Sequence, residues 1–190
     1  MMVSGALLIS DAGVTLLWQE PVSWLLEGRQ QNRLEDALAK APNRVRRRKP
    51  LRGDAIGRIQ IPAIGVSKFV VEGTDTGTLR RGPGHYGDTP LPGERGTVAI
   101  AGHRTTYGAP FRRINELKKG EDIDVDLPQG RWVYRVERVR IVPATALWIK
   151  RRVDQDRLVL SACHPLYSAK QRVVVFAREI RRERSGVREG

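Results

Sequence analysis

The sequence predicts a mostly β fold, built as a closed sheet or a sandwich. From residue 54 onward the 190-residue chain consists of short apolar or alternating runs separated by glycine and proline, a pattern typical of strands joined by turns. Seven runs have this form: residues 56–61, 68–72, 97–101, 122–127, 132–142, 158–162 and 173–180. They predict seven or eight strands, with short helices only at 111–117 and 144–149.

The region 54–180 is long enough to form one domain around its own core, because 40% of the chain is hydrophobic. Residues 27–41 favour a polar helix, with Leu34 and Leu38 on one face. Residues 43–53 are a basic linker of low apolar content. Residues 181–190 form a charged tail. These segments predict a folded domain at 54–180 with a helix and linker, 27–53, before it.

Residues 1–26 are interpreted as a membrane anchor. The stretch 3–18 is apolar apart from Asp11, with Trp18 and Trp24 near its end, and it reaches the about 20 residues of a membrane span only if residues 21–26 extend it. No basic region precedes it, so an uncleaved signal anchor is favoured over a cleaved signal peptide. The alternative is an amphipathic helix packed on the domain. The basic linker argues for a cytoplasmic flank, which conflicts with an exported domain.

Three chemically capable residues lie at strand boundaries. His103 and Cys163 end predicted strands and Arg172 opens one, and Cys163 is the only cysteine in the chain. An imidazolium favours the nucleophilic thiolate and can protonate a leaving amine. A guanidinium can stabilise the oxyanion of a tetrahedral intermediate. The three residue types therefore indicate acyl transfer, although no Asn or Asp is evident to orient His103 as in a papain-like triad.

The motifs around these residues resemble those of sortases, most closely class E sortases of actinobacteria. They are Gly82-Pro-Gly-His-Tyr86, Ala101-Gly-His103-Arg-Thr-Thr-Tyr-Gly-Ala-Pro-Phe111, and Cys163-His-Pro followed by Arg172. The resemblance covers roughly residues 54 to 180 and implies a closed β-barrel of about eight strands with the site in a surface groove. It also implies that Cys163 is the nucleophile, His103 the acid–base partner and Arg172 the electrostatic stabiliser. The family's Thr-Leu-x-Thr-Cys strand is changed here, because Val159 and Ala162 replace its threonines.

The resemblance further implies a membrane-anchored cysteine transpeptidase whose catalytic domain lies outside the cytoplasm. Its partners would be secreted proteins with a C-terminal sorting signal of the Leu-Ala-x-Thr-Gly or Leu-Pro-x-Thr-Gly type, a cell-wall precursor that supplies the accepting amine, and the cytoplasmic membrane. No cofactor is expected. Thr105, Thr106 and Tyr107, which follow His103, and Ala162 are the candidate substrate-binding residues, with a plain turn role as the alternative for the first three.

Other interpretations of the same residues stay open at this point. A lone cysteine at a strand end is commonly an inert buried residue, and a noncatalytic, membrane-tethered binding domain would keep the same scaffold. The net charge of +13 would suit a nucleic-acid-binding protein, but no nucleic-acid-binding motif accompanies it. Zinc at His85, His103, Cys163 and His164 is disfavoured because adjacent strand residues face opposite ways. Calcium at Asp122, Asp124 and Asp126 is disfavoured because their strand lacks a curved loop.

Overall fold

Strands make up most of the protein in the computed structural model, which describes residues 28–40 and 50–184. The strands are β1 (Ala55–Ile61), β2 (Val66–Glu72), β3 (Gly84–His85), β4 (Thr97–Ala101), β5 (Asp122–Leu127), β6 (Gly130–Pro143), β7 (Arg157–His164) and β8 (Gln171–Arg184). They form one closed barrel in the order β1-β2-β3-β4-β7-β8-β6-β5, and β5 pairs back to β1. The predicted closed, mostly β barrel is thereby confirmed.

All seven predicted strands are present, and two features differ from the prediction. β3 was not predicted because two residues are too short to show a hydrophobic period. β8 continues to Arg184, into the segment predicted as a charged tail. Its last residues are charged, but their backbone still pairs with β6, where Gly130 lies opposite Arg184. Strand pairing here is made by the backbone, which the side-chain pattern does not report.

The short helices of the barrel are mostly single 3-10 turns. They lie at Pro62–Ile64, Ile114–Glu116 and Leu147–Lys150. The second lies within the helix predicted at 111–117 and the third overlaps the helix predicted at 144–149, and both are shorter than predicted. One further α-helical turn, Thr76–Leu79, is capped by Asp75, whose carboxylate accepts a hydrogen bond from the Thr78 backbone N–H.

Residues 28–40 are helical, as predicted, and this helix (α1) packs on the barrel. Leu34 is fully buried in a cluster with Ala55, Phe69 and Val71, and Leu38 packs beside it. The Gln31 amide accepts a hydrogen bond from the Phe69 backbone N–H (2.6 Å) and donates one to the Arg81 carbonyl (2.9 Å). The segment expected to separate the domain from a membrane is therefore, over these residues, a packed part of the domain.

Side chains alternate between the two faces of the barrel wall. Ile100, Leu158, Leu160, Val173 and Val175 point into the interior core. Their neighbours Ala99, Val159, Val174 and Phe176 form a second apolar cluster on the outer face, which Ile149 of the β6–β7 loop covers. Trp148 of that loop stacks on Phe176 with ring centroids 6.0 Å apart. The outer face of β4, β7 and β8 thus carries a second buried apolar cluster, which the β6–β7 loop helps to cover.

Within the described residues, no helix has both the length and the apolar character needed to cross a membrane. The anchor predicted at 1–26 lies outside the described residues, as do most of the basic linker and residues 185–190.

Candidate active site

Strand directions bring the three candidate residues to one edge of the barrel. β4 and β7 are parallel, so His103, just after β4, and Cys163, near the end of β7, lie at the same edge. β8 runs antiparallel to β7, so its first residues, including Arg172, return to that edge. Three positions far apart in the chain become neighbours because of this pairing.

The register places Cys163 and Arg172 side by side, and His103 follows one residue after the last β4–β7 hydrogen bond. Cys163 lies directly opposite Arg172, and the Gly102 N–H donates to the Ser161 carbonyl (3.0 Å), which extends the β4–β7 pairing up to His103. The preceding outer-face row, Ala101, Ser161 and Val174, is aligned by the same register. Because strand side chains alternate, Cys163 and Arg172 point outward, onto the surface beside the apolar cluster.

His103 is half-buried and carries a ring nitrogen with no neighbour to bond. Its Nε2 is buried and has no hydrogen-bond partner within residues 28–40 and 50–184. Burial lowers the pKa of His103 below its ordinary value, and the positive charge of Arg80 lowers it further. The centroid of the Tyr107 ring lies 5.1 Å from that of the His103 ring. The Arg80 guanidinium lies over the Tyr107 ring, 5.3 Å from its centroid. Arg80 and Tyr107 therefore form the immediate environment of the imidazole.

Arg172 is oriented by its own turn. Its Nη1 donates to the carbonyl oxygens of Ala169 and Gln171, both at 2.9 Å. Cys163 beside it is a free, half-buried thiol. Cys163 is partly exposed, unlike the fully buried residues on the inner face of the same strand.

The candidate substrate-binding residues occupy different surroundings. Thr105, Thr106 and Tyr107 lie in the loop after β4, where Thr106 is exposed and Tyr107 has a left-handed backbone (φ 52). The loop is closed by a hydrogen bond from the Phe111 N–H to the His103 carbonyl, 3.0 Å. Ala162 does not belong with them, because its side chain faces the barrel interior and is 3% exposed. Its side chain is not available to a peptide on the outer face; Ser161 takes the outward position but is itself buried.

Sequence reasoning missed Arg104, the residue after His103. It is 5% exposed, and its guanidinium contacts the Cys163 carbonyl and the His164 ring. Only its position could have indicated a role in the site, because Arg104 is a charged residue that follows an apolar strand and lies within the Gly-His-Arg motif. Its burial, however, depends on residues 112–115 and 163–164, which only the fold brings to it.

Residues considered as metal ligands have other partners. Asp122 and Asp124 form ion pairs with Arg135 (2.8 Å) and Arg131 (2.5 Å). The His85 Nδ1 lies 2.8 Å from the Glu72 carboxylate, away from Cys163. In the part of the chain that the structure describes, no group of three or more His, Cys, Asp or Glu side chains is arranged to hold a metal ion.

Comparison with known proteins gives the family. The family model of the sortase domain matches residues 59–180, more than half of the chain. The chain belongs to the sortase family. It is 34% identical to Sortase D of Bacillus subtilis (strain 168) over 137 residues, which cover 70% of this chain and 67% of that protein. It is 29% identical to Sortase SrtE1 of Streptomyces coelicolor over 146 residues, 67% of this chain and 41% of that protein.

A solved structure agrees on the fold. The Sortase D5 transpeptidase of Clostridium perfringens superposes with a TM-score of 0.71 at 24% identity, over 82% of this chain and 98% of that one. This sortase is therefore a cysteine transpeptidase with a sortase barrel. Relatives named sortase D and sortase E both match this chain. The matches therefore assign the chain to the sortase family but do not single out class E within it. A noncatalytic binding domain and a nucleic-acid-binding protein are not favoured by these matches.

Proposed function

We propose that this sortase cleaves a C-terminal sorting signal of secreted proteins between Thr and Gly and joins the new carboxyl group to a cell-wall precursor amine. The signal would be of the Leu-Ala-x-Thr-Gly or Leu-Pro-x-Thr-Gly type, the first matching the class E resemblance. The observation that carries the proposal is the register that sets Cys163 opposite Arg172 at the barrel edge to which β4 leads His103, in a chain of the sortase family.

The first half of the reaction forms a thioester. The Cys163 thiolate attacks the threonine carbonyl carbon, and the free donors of Arg172 stabilise the negative oxygen of the tetrahedral intermediate. The carbon–nitrogen bond to glycine then breaks, and the His103 imidazolium gives its proton to the leaving amine. The products are a thioester on Cys163, a neutral His103 and the released C-terminal peptide.

The second half transfers the acyl group. The accepting amine attacks the thioester carbonyl and passes a proton to His103. The carbon–sulfur bond then breaks, which restores the thiolate and the imidazolium. His103 acts first as an acid and then as a base in the two halves of the reaction.

The proposed peptide groove lies beside Cys163, along the edge of the outer apolar cluster. Val159, Ser161 and Val174 are buried beneath it, and the Tyr86 hydroxyl lies 3.4 Å from the Ser161 hydroxyl. The β6–β7 loop with Ile149 forms one side. Thr105, Thr106 and Tyr107 would contact the substrate at the His103 end.

We further propose a single-pass membrane protein with its catalytic domain outside the cytoplasm. The apolar stretch within residues 1–26 supports an anchor, and the family's substrates, secreted proteins and cell-wall precursors, are found there. The proposed partners are these substrates and the cytoplasmic membrane, not nucleic acid, and the reaction as written uses no cofactor.

The test is incubation of the protein with Leu-Ala-x-Thr-Gly and Leu-Pro-x-Thr-Gly peptides, with and without an amine acceptor. Mass spectrometry is expected to find an acyl adduct on Cys163 and a ligated product when the amine is present. Cys163→Ala should fold normally and give neither product, because it removes the nucleophile and little volume. Turnover by Cys163→Ala would contradict the mechanism, and peptide binding without an adduct would favour the noncatalytic binding domain.

A further inference from the structure

The buried guanidinium of Arg104 has all five of its N–H groups bonded. Nε and one Nη2 hydrogen are directed at the Arg112 carbonyl, both at 3.2 Å, and the second Nη2 hydrogen at the Asn115 side-chain oxygen, 2.7 Å. Nη1 donates to the Cys163 carbonyl at 3.2 Å and to the His164 Nδ1 at 3.3 Å. Because a guanidinium only donates, the Nδ1 of His164 must be the acceptor in this contact.

These acceptors carry no full negative charge. No carboxylate forms an ion pair with Arg104 within residues 28–40 and 50–184, although buried charges in proteins are normally paired. Burial lowers the pKa of Arg104 and the charge of Arg112 lowers it further, whereas a charged Cys163 and Glu116 act in the opposite direction. A buried positive charge therefore lies against the backbone carbonyl of Cys163 without a carboxylate partner among the described residues.

Arg104 also joins the two halves of the site through the backbone. It directly follows His103 in the chain, and its side chain is bonded to the backbone of Cys163. It thereby fixes the loop that carries the imidazole to the end of the strand that carries the thiol. The site contains no Asn or Asp that was evident as an orienting partner for His103, and this arrangement supplies orientation by another route.

Resting on the proposed function, we propose that Arg104 is a positioning residue of this site: it locks the His103 loop to the Cys163 strand, and the Cys163 thiolate is the counter-ion of its buried charge. Two separable effects follow. The five N–H donors of the planar guanidinium fix the position of the His103 loop relative to the Cys163 strand, and its positive charge favours the Cys163 thiolate. Arg172, whose Nη1 is bonded within its own turn, remains the group that faces the substrate.

The test separates charge from geometry with four variants. Arg104→Lys keeps the positive charge but loses the planar set of five donors, and Arg104→Met loses both the charge and the donors. Asn115→Asp keeps the shape and the acceptor next to Arg104 but neutralises its charge. Asn115 is exposed, so this variant is expected to fold even if Arg104→Met does not. Lys119→Gln is the matched control, because it also lowers the net charge by one at an exposed position of the same segment.

The first measurement is the rate of alkylation by iodoacetamide from pH 5 to 10, which reports Cys163 alone because it is the only cysteine. The midpoint of this profile is expected to rise by about one pH unit in Arg104→Met and Asn115→Asp. It should stay near that of the parent protein in Arg104→Lys and Lys119→Gln. A purely structural role would lower the folded fraction without moving the midpoint, so unchanged midpoints in Asn115→Asp would overturn the counter-ion role.

The second measurement is peptide turnover, with kcat and KM determined separately. Arg104→Lys is expected to lose about 10²-fold in kcat with KM little changed, because geometry and not binding is altered. Full kcat in Arg104→Lys would overturn the positioning role. The alkylation profile needs no peptide, so a shifted midpoint in a protein that turns over no peptide supports the counter-ion role and counts against the proposed function alone.

Discussion

At the scale of single residues, the protonation of His103 depends on what surrounds its ring. The thiolate–imidazolium form requires a proton on His103, yet burial and the charge of Arg80 both lower its pKa. At a given pH the imidazolium that the mechanism requires is therefore less populated than that of a free histidine. Arg80 lies over Tyr107, which contacts His103, so Arg80 can be changed without touching the reacting groups.

Arg80→Met is expected to raise the pKa of His103. A neighbouring positive charge disfavours the imidazolium, so without it the proton is retained to higher pH. The pKa should remain below its ordinary value, because burial is the larger cause. NMR titration of the ring protons measures this directly, since the chain has only three histidines. Arg95→Met, at the opposite end of β4, is the control and should change nothing; an unmoved His103 titration in Arg80→Met would contradict the assignment.

Arg172→Lys is expected to recover little of the activity that Arg172→Ala loses. The guanidinium donates from Nη1 to two carbonyl oxygens of its own turn and still has Nε and Nη2 for an oxyanion. A lysine has three donors on one atom and cannot do both. The values of kcat/KM for the two variants decide the matter: a lysine variant close to the parent protein would mean that a point charge is sufficient.

At the scale of elements, the position of His103 depends on how the loop after β4 packs. Gly102 lies between β4 and His103, and a Cβ there would come within 2.4–2.9 Å of the Phe111 ring. Phe111 is fully buried and its N–H is bonded to the His103 carbonyl. A side chain at position 102 must therefore displace the residue that closes the catalytic loop.

Gly102→Ala is expected to lower the free energy of unfolding by about 1–3 kcal/mol, as overpacking of a core does. It should also reduce kcat, because the His103 loop shifts. Urea unfolding followed by tryptophan fluorescence measures the first effect and peptide turnover the second. Gly28→Ala serves as the control, since a Cβ at Gly28 meets nothing within 4 Å. Wild-type stability and turnover in Gly102→Ala would show that Phe111 moves aside freely.

At the scale of the whole molecule, α1 is part of the folded unit. Leu34 fills a cluster on the outside of β1 and β2, and Gln31 bonds to the backbone of Phe69 and Arg81. A fragment starting near residue 54 would expose this surface. The domain boundary inferred from composition is therefore less useful for expression than a start before α1.

Leu34→Ala is expected to cost about 2–5 kcal/mol of unfolding free energy, because it removes a fully buried side chain and leaves a cavity. Leu38→Ala, at a half-buried position four residues along the same helix, should cost clearly less. Thermal unfolding of both variants, together with a chain that starts at residue 50, gives the comparison. Equal stability of all three proteins would mean that α1 does not contribute to the fold.

The amino-acid sequence by itself determined the fold class, the positions of seven strands, the helix at 28–40 and the three candidate residues at strand boundaries. These are local properties: alternation, turn residues and the chemistry of Cys163, His103 and Arg172 can be read within a few residues of each position. The motif order also indicated the sortase family, which the family match confirmed.

Only the tertiary structure decided which residues meet. The outward row at Cys163 depends on the parallel pairing of β4 with β7 and on the register with β8. That register turned Ala162 into the core and set Cys163 beside Arg104, and the packing of α1 on β1 and β2 covered Phe69. Such contacts join residues distant in the chain, and a one-residue change of register would send every side chain of a strand to the opposite face. A local pattern therefore cannot specify them.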